Sequence, residues 1–189
     1  MVDLPDCLAP GLLVSMPHLL DPNFRKTVVL MTAHDPEDGA MGFIANRPLP
    51  ATVQDVLEGL DIAWHGDARE PVWSGGPVLP RSGWVLFGDD GGRDLDETQE
   101  VLPGLYLTAS LDHLRELAQA PPERFRLLLG HSGWSGGQLE SELSQGAWLT
   151  LPAVADELFE GDPEEAWSAA FRKVGIDPGS IVMPSPGIQ

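Results

Sequence analysis

Apolar residues along this chain fall into short runs divided by Gly, Pro, Asn and Asp, and only a few stretches carry a helical period. The runs 12-LLVSM-16, 25-RKTVVLMTA-33, 40-AMGFIAN-46, 72-VWS-74, 84-WVLF-87, 105-LYLTA-109, 125-FRLLL-129 and 147-AWLTL-151 predict strands. Between the second and third, 34-HDPEDG-39 supplies turn formers for a hairpin loop of four or five residues. Three segments lack either period and read as connections: 17-PHLLDPN-23, 75-GGPVLPRSG-83, and 89-DDGGRDLDETQE-100, where six acids face one arginine.

Helical spacing follows Thr52, which with Asp55 resembles a capping box ahead of Val53, Val56, Leu57 and Leu60. A second helix starts after Ser110, with Leu111, Leu114, Leu117 and Ala118 on one face, and stops at Pro121-Pro122. A third opens at 138-QLESEL-143. The last is the best specified: Asp162 caps, Pro163 takes the first helical position, and Trp167, Ala170, Phe171 and Val174 form the apolar stripe. Arg172 and Lys173 suit its last turn before Gly175. Strands cluster without strict strand-helix alternation, which predicts an α+β fold. The expectation is a single domain, 1–189, with a mixed, largely antiparallel β-sheet flanked by helices and a mobile tail at 182–189.

Charge narrows the function classes. Eleven Lys and Arg against 29 Asp and Glu give a formal net charge of −18, which disfavours direct nucleic-acid binding and contact with an anionic membrane. Cys7 is the single cysteine, so neither an intrachain disulfide nor a cysteine-cluster zinc site forms. Asp3 and Asp6 stand where a signal peptide carries positive charge, and the run from Cys7 to Leu20 is short and broken by prolines. A cytoplasmic protein is expected.

Candidate chemistry centres on 130-GHSGWSGGQLESEL-143, where Gly133-Trp134-Ser135-Gly136-Gly137 spells the G-x-S-x-G of a nucleophile elbow. Hydrolases of that type place their histidine after the serine. Here His18, His34, His65, His113 and His131 all precede Ser135, so that order is impossible. A phosphate cradle lacks the Lys-Ser/Thr of a P-loop, and Glu140 and Glu142 would repel the anion. Glu140 and Glu142 themselves, two apart on a helix, point different ways and make a poor acid/base pair. A rigid strand-turn-helix corner explains the glycines better, with Gly133 and Trp134 as packing elements and Gln138 bonding backbone at the turn. A second glycine corner lies at Gly75 and Gly76. His34 with Asn46 and Arg47 forms the remaining polar set, although hairpin pairing would place them at opposite ends of a strand pair. No catalytic constellation, metal motif or cofactor motif emerges.

Several blocks in order resemble one family: 11-GLLVSMP-17 with Asp21 and Phe24, 27-TVVLMTAHDPEDGAMGFIANRPL-49, 73-WSGGPV-78, and 130-GHSGWSGGQLESEL-143 with Trp148 and Trp167. This chain resembles the YqgE/AlgH family from about Gly11 to Asp177. The resemblance implies one cytoplasmic α+β domain without established activity; a transcriptional-regulator label accompanies part of the family. Similar proteins read Gly-Trp-Gly-Pro-Gly-Gln-Leu-Glu at the opening motif, so glycine is acceptable at Ser135 and a catalytic hydroxyl there is disfavoured. The expected function is therefore non-catalytic binding, with any regulation exerted indirectly through a protein partner. The alternative is a small-molecule-binding protein or weak enzyme using a pocket at the two glycine corners.

Overall fold

The computed structural model describes residues 7–89 and 91–181; the acidic start and the 182–189 tail lie outside them. The strands are β1 (Gly11–Ser15), β2 (Val28–Asp35), β3 (Gly39–Ile44), β4 (Pro48–Thr52), β5 (Pro71–Ser74), β6 (Val78–Gly88), β7 (Gln99–Leu102), β8 (Leu105–Thr108), β9 (Phe125–Ser135) and β10 (Trp148–Leu151). Their order is β10-β1-β2-β3-β9-β6-β8-β7, with β4 and β5 branching from β9. Every pairing is antiparallel except β5 with β9. The fold is α+β, with a mixed, largely antiparallel sheet.

Long β9 is the hub. Its first half pairs with β6 and β5, and its second half with β3. Because side chains alternate along a strand, β9 feeds two cores at once. Leu128 packs with Trp73, Leu86, Phe43, Trp167 and Phe171 on one face. Phe125 and Leu127 pack with Val85, Phe87, Val53, Leu57, Leu114 and Leu117 on the other. Helices α1 (Val53–Glu58) and α2 (Leu111–Gln119) cover that second face, while α4 (Ala155–Phe159) and α5 (Pro163–Lys173) cover the first. Helix α3 (Gln138–Ser144) closes a third cluster of Leu13, Val29, Met31, Ile44, Trp134, Leu139 and Trp148.

Capping chemistry acts as the sequence implies at two helices. Thr52 and Asp55 form a reciprocal capping box on α1, and Asp162 accepts the Glu164 amide ahead of Pro163 on α5. Ser110 starts α2 without a side-chain cap bond, its own amide donating instead to Thr108 Oγ1. Leu60 falls beyond α1 and is 47% exposed.

Three stretches outside the predicted strands hold strand structure. Strand β6 already begins at Val78 inside the expected 75–83 turn, because an irregularity between Val78 and Gly83 absorbs Pro80 and the positive φ of Leu79. The acidic 89–100 segment ends in the first residues of β7, whose Val101 is buried. Strand β4, with two prolines in five residues, pairs only with β5, as proline at a sheet edge allows.

Candidate functional site

The opening motif is built differently from a hydrolase elbow. Strand β9 runs straight through Gly133, Trp134 and Ser135, and the turn into α3 is made by Gly136 and Gly137 alone. Gly137 has φ 73, which glycine adopts without a Cβ clash, and its amide donates to Pro36 O at 2.9 Å. The tip of the β2–β3 hairpin thus seats on the corner. Ser135 is exposed, and its hydroxyl meets only Gln138 Oε1, at 3.3 Å, among the described residues. His131 lies four residues back on the same strand, about 13 Å along it, out of proton-transfer reach.

The two glycine corners do converge, and they fill one another. Gly75 N–H donates to Leu129 O at 2.8 Å, and Ser132 Oγ–H donates to Gly75 O at 3.1 Å. A Cβ on Gly75 would strike the Gly130 carbonyl, and one on Gly130 would lie 2.5 Å from Gly76 O. Backbone packed this closely leaves no room for a ligand between the corners. Gly133 faces Val78, whose Cγ2 would lie 3.8 Å from an added Cβ.

The remaining polar candidates tie elements together. The His34 side chain is 3% exposed; its Nδ1 accepts the Leu8 amide at 3.1 Å and its Nε2 meets Glu140 Oε1 at 2.6 Å. Because a backbone amide donates to Nδ1, the proton of the neutral ring sits on Nε2 and points at the carboxylate. Asn46 accepts from Val28 N and donates to Lys26 O, while Arg47 donates to Asn23 O and Arg25 O. Both residues therefore pin the loop between β1 and β2, away from His34. Gln138 accepts the Ser135 amide and donates to Glu142 Oε1. Glu142 Oε2 also accepts the indole N–H groups of Trp134 and Trp148.

A wide opening lies elsewhere, between the sheet and the C-terminal helices. A cavity of about 620 Å³ is walled by Leu12, Val28, Leu151, Leu158, Ala166 and Ala170, with Asn46 on its lining. Arg126 also lines it. Strand alternation puts this arginine on the Leu128 face of β9, among apolar neighbours, and it is only 7% exposed. Its cation sits 3.9 Å over the Trp73 ring and 5.1 Å over Phe159, and its Nη1–H donates to Ala45 O at 2.5 Å. Burial pulls its pKa down to about 10, partly offset by the nearby Glu70 carboxylate. Burial in turn raises Glu70 above the usual carboxylate value, with Arg126 opposing. Among the described residues, no three His, Cys, Asp or Glu side chains gather to hold a metal ion, and no helix is long and apolar enough to cross a membrane.

The AlgH-like family model matches residues 12–179. This chain belongs to the AlgH-like family. It is 42% identical over 177 residues to the UPF0301 protein of Myxococcus xanthus, covering 93% of this chain and 96% of that one. The solution structure of AlgH from Pseudomonas aeruginosa superposes with a TM-score of 0.75 at 36% identity, covering both chains fully. A Corynebacterium diphtheriae protein, 21% identical with 97% and 90% of the two chains covered, reaches a TM-score of 0.73 and shares the fold.

The parts played by two residues of this AlgH-like chain were not visible in the sequence. Glu142 is recognisable only once Trp134, Trp148 and Gln138 are seen to share it. Arg126 did leave a signal: a lone charge inside the buried run 125-FRLLL-129, where a charge is costly unless something engages it.

Proposed function

We propose that this AlgH-like protein binds an apolar small molecule in the cavity beneath α4 and α5 and releases it unchanged. The observation that carries the reading is the cavity itself. Its volume of about 620 Å³ suits small-molecule sites, which span roughly 300–1,000 Å³. Non-catalytic action agrees with the Ser135 hydroxyl meeting only Gln138 among the described residues and with His34 being bonded to Leu8 and Glu140. Any effect on gene expression runs through a protein partner, since the net charge of −18 opposes DNA.

The test is an NMR titration of the full chain with octan-1-ol. Methyl resonances of Leu12, Val28 and Leu151 should shift, Ala169→Trp should abolish the shifts by filling the cavity, and the alcohol should be recovered intact. Shifts confined to other surfaces, or none at millimolar probe, would sink the reading.

A further inference from the structure

The cavity holds two cations, and they differ in one respect that selects a ligand. Lys173, at the mouth, is already paired with Glu157. Arg126, in the wall, takes part in none of the salt bridges among the described residues, and Ala45 O is its one hydrogen-bond acceptor there. A guanidinium carries five N–H donors, so most of this fork is unfilled. Among the described residues, the sealed side-chain polar atoms without a partner are Trp73 Nε1, Trp84 Nε1 and His131 Nδ1. Arg126 is not among them, and it is one of the residues that line the cavity. The Trp73 and Phe159 rings satisfy the cation through their faces and accept no in-plane N–H pair.

We infer that the ligand is an apolar monocarboxylic acid, its carboxylate paired with Arg126 and its hydrocarbon body against the aliphatic walls. This rests on the cavity being the binding site. A planar carboxylate matches the free edge of a guanidinium and forms charge-assisted bonds to it. Shielded from water, such a pair gives Arg126 a direct counterion, where the protein supplies only the Glu70 carboxylate beyond salt-bridge distance. The rim sets the charge limit. Glu157, Glu160, Asp162 and Glu165 surround the entrance, and the whole chain is strongly acidic. One anion reaching the buried arginine is matched there, whereas a phosphate monoester or dicarboxylate brings a second charge that the rim repels.

Calorimetric titration of the full chain with octanoate, octan-1-ol and octyl phosphate at neutral pH tests this. Octanoate should bind roughly ten-fold or more tightly than octan-1-ol, and octyl phosphate more weakly than octanoate. Arg126→Met should erase the preference for octanoate while octan-1-ol still binds, which also reports that the variant is folded. Arg126→Lys, keeping the charge without the fork, should restore part of the preference. Equal binding of octanoate and octan-1-ol to the unaltered chain overturns the inference and leaves the cavity reading standing. An unchanged preference in Arg126→Met also overturns it, and absence of binding by every probe overturns both.

Discussion

Trp148 Nε1–H donates to Glu142 Oε2 at 2.7 Å, and that single oxygen also accepts from Trp134 at 3.0 Å. The two indoles meet edge to face, 5.9 Å apart, with Phe24 against both. One carboxylate on α3 thereby joins the ends of β9 and β10 and the loop after β1.

Removing that carboxylate leaves three donors without their acceptor, counting Gln138 Nε2. Glu142→Ala should lower unfolding stability by about 1.5–3 kcal/mol, the range for hydrogen bonds to a charged group. Glu142→Gln, which keeps an acceptor, should lose less. Urea unfolding followed by tryptophan fluorescence measures both, and a Glu142→Ala loss within experimental error would refute the anchoring role.

The glycine corners differ in what a methyl group would meet. Gly75→Ala and Gly130→Ala push Cβ into facing backbone and should each cost about 2–3 kcal/mol by overpacking. Gly137→Ala meets no atom within 4 Å, and only its left-handed φ should matter, at about 1 kcal/mol. Ser135→Ala should stay within about 0.5 kcal/mol of the parent. Parallel denaturation curves should return that order, and a Ser135→Ala loss as large as Gly75→Ala would contradict it.

His131 gives the fold an acid-sensitive point. Its Nδ1 is buried without a partner beside the Phe43 and Trp84 rings, and burial holds its pKa below the ordinary 6.5. The unfolded chain then binds this proton more readily than the folded one. Its contribution to stability is present above pH 6.5 and is lost as pH falls through the depressed folded value. His131→Phe should therefore show a flatter stability profile than the parent between about pH 7 and about pH 5. Coincident slopes would show that the imidazole does not govern this range.

Arg126 should cost the empty protein stability. Its Ala45 hydrogen bond and Trp73 contact contribute about 1–3 kcal/mol. Desolvation of the buried guanidinium, only partly offset by the Glu70 carboxylate, carries a penalty of several kcal/mol, which exceeds that gain. Arg126→Met should accordingly raise the stability of the ligand-free chain by about 1 kcal/mol. Destabilisation on that exchange would mean that the fold itself depends on the guanidinium.

Local grammar accounts for most of the elements. The Asp162-Pro163 start of α5, the Thr52-Asp55 box and the β2–β3 turn are each written in neighbouring residues, because caps and turns are satisfied within a few positions. Strand β4 and the start of β6 were hidden because their prolines argue locally against a strand, and only pairing across the sheet overrules them.

The chain's order of apolar runs, its acidity and the absence of a histidine after Ser135 were enough to establish the fold class and to dismiss the hydrolase elbow. Tertiary structure alone decided that the glycine corners fill each other, that Glu142 serves two tryptophans, and that Arg126 faces an open cavity. The reason is range: Gly75 and Gly130, or Arg126 and Trp73, lie far apart in the chain and meet only when β9 is packed between its partners. A residue's periodicity tells which face it occupies, but only the packing of distant elements determines whether that face meets protein or empty space.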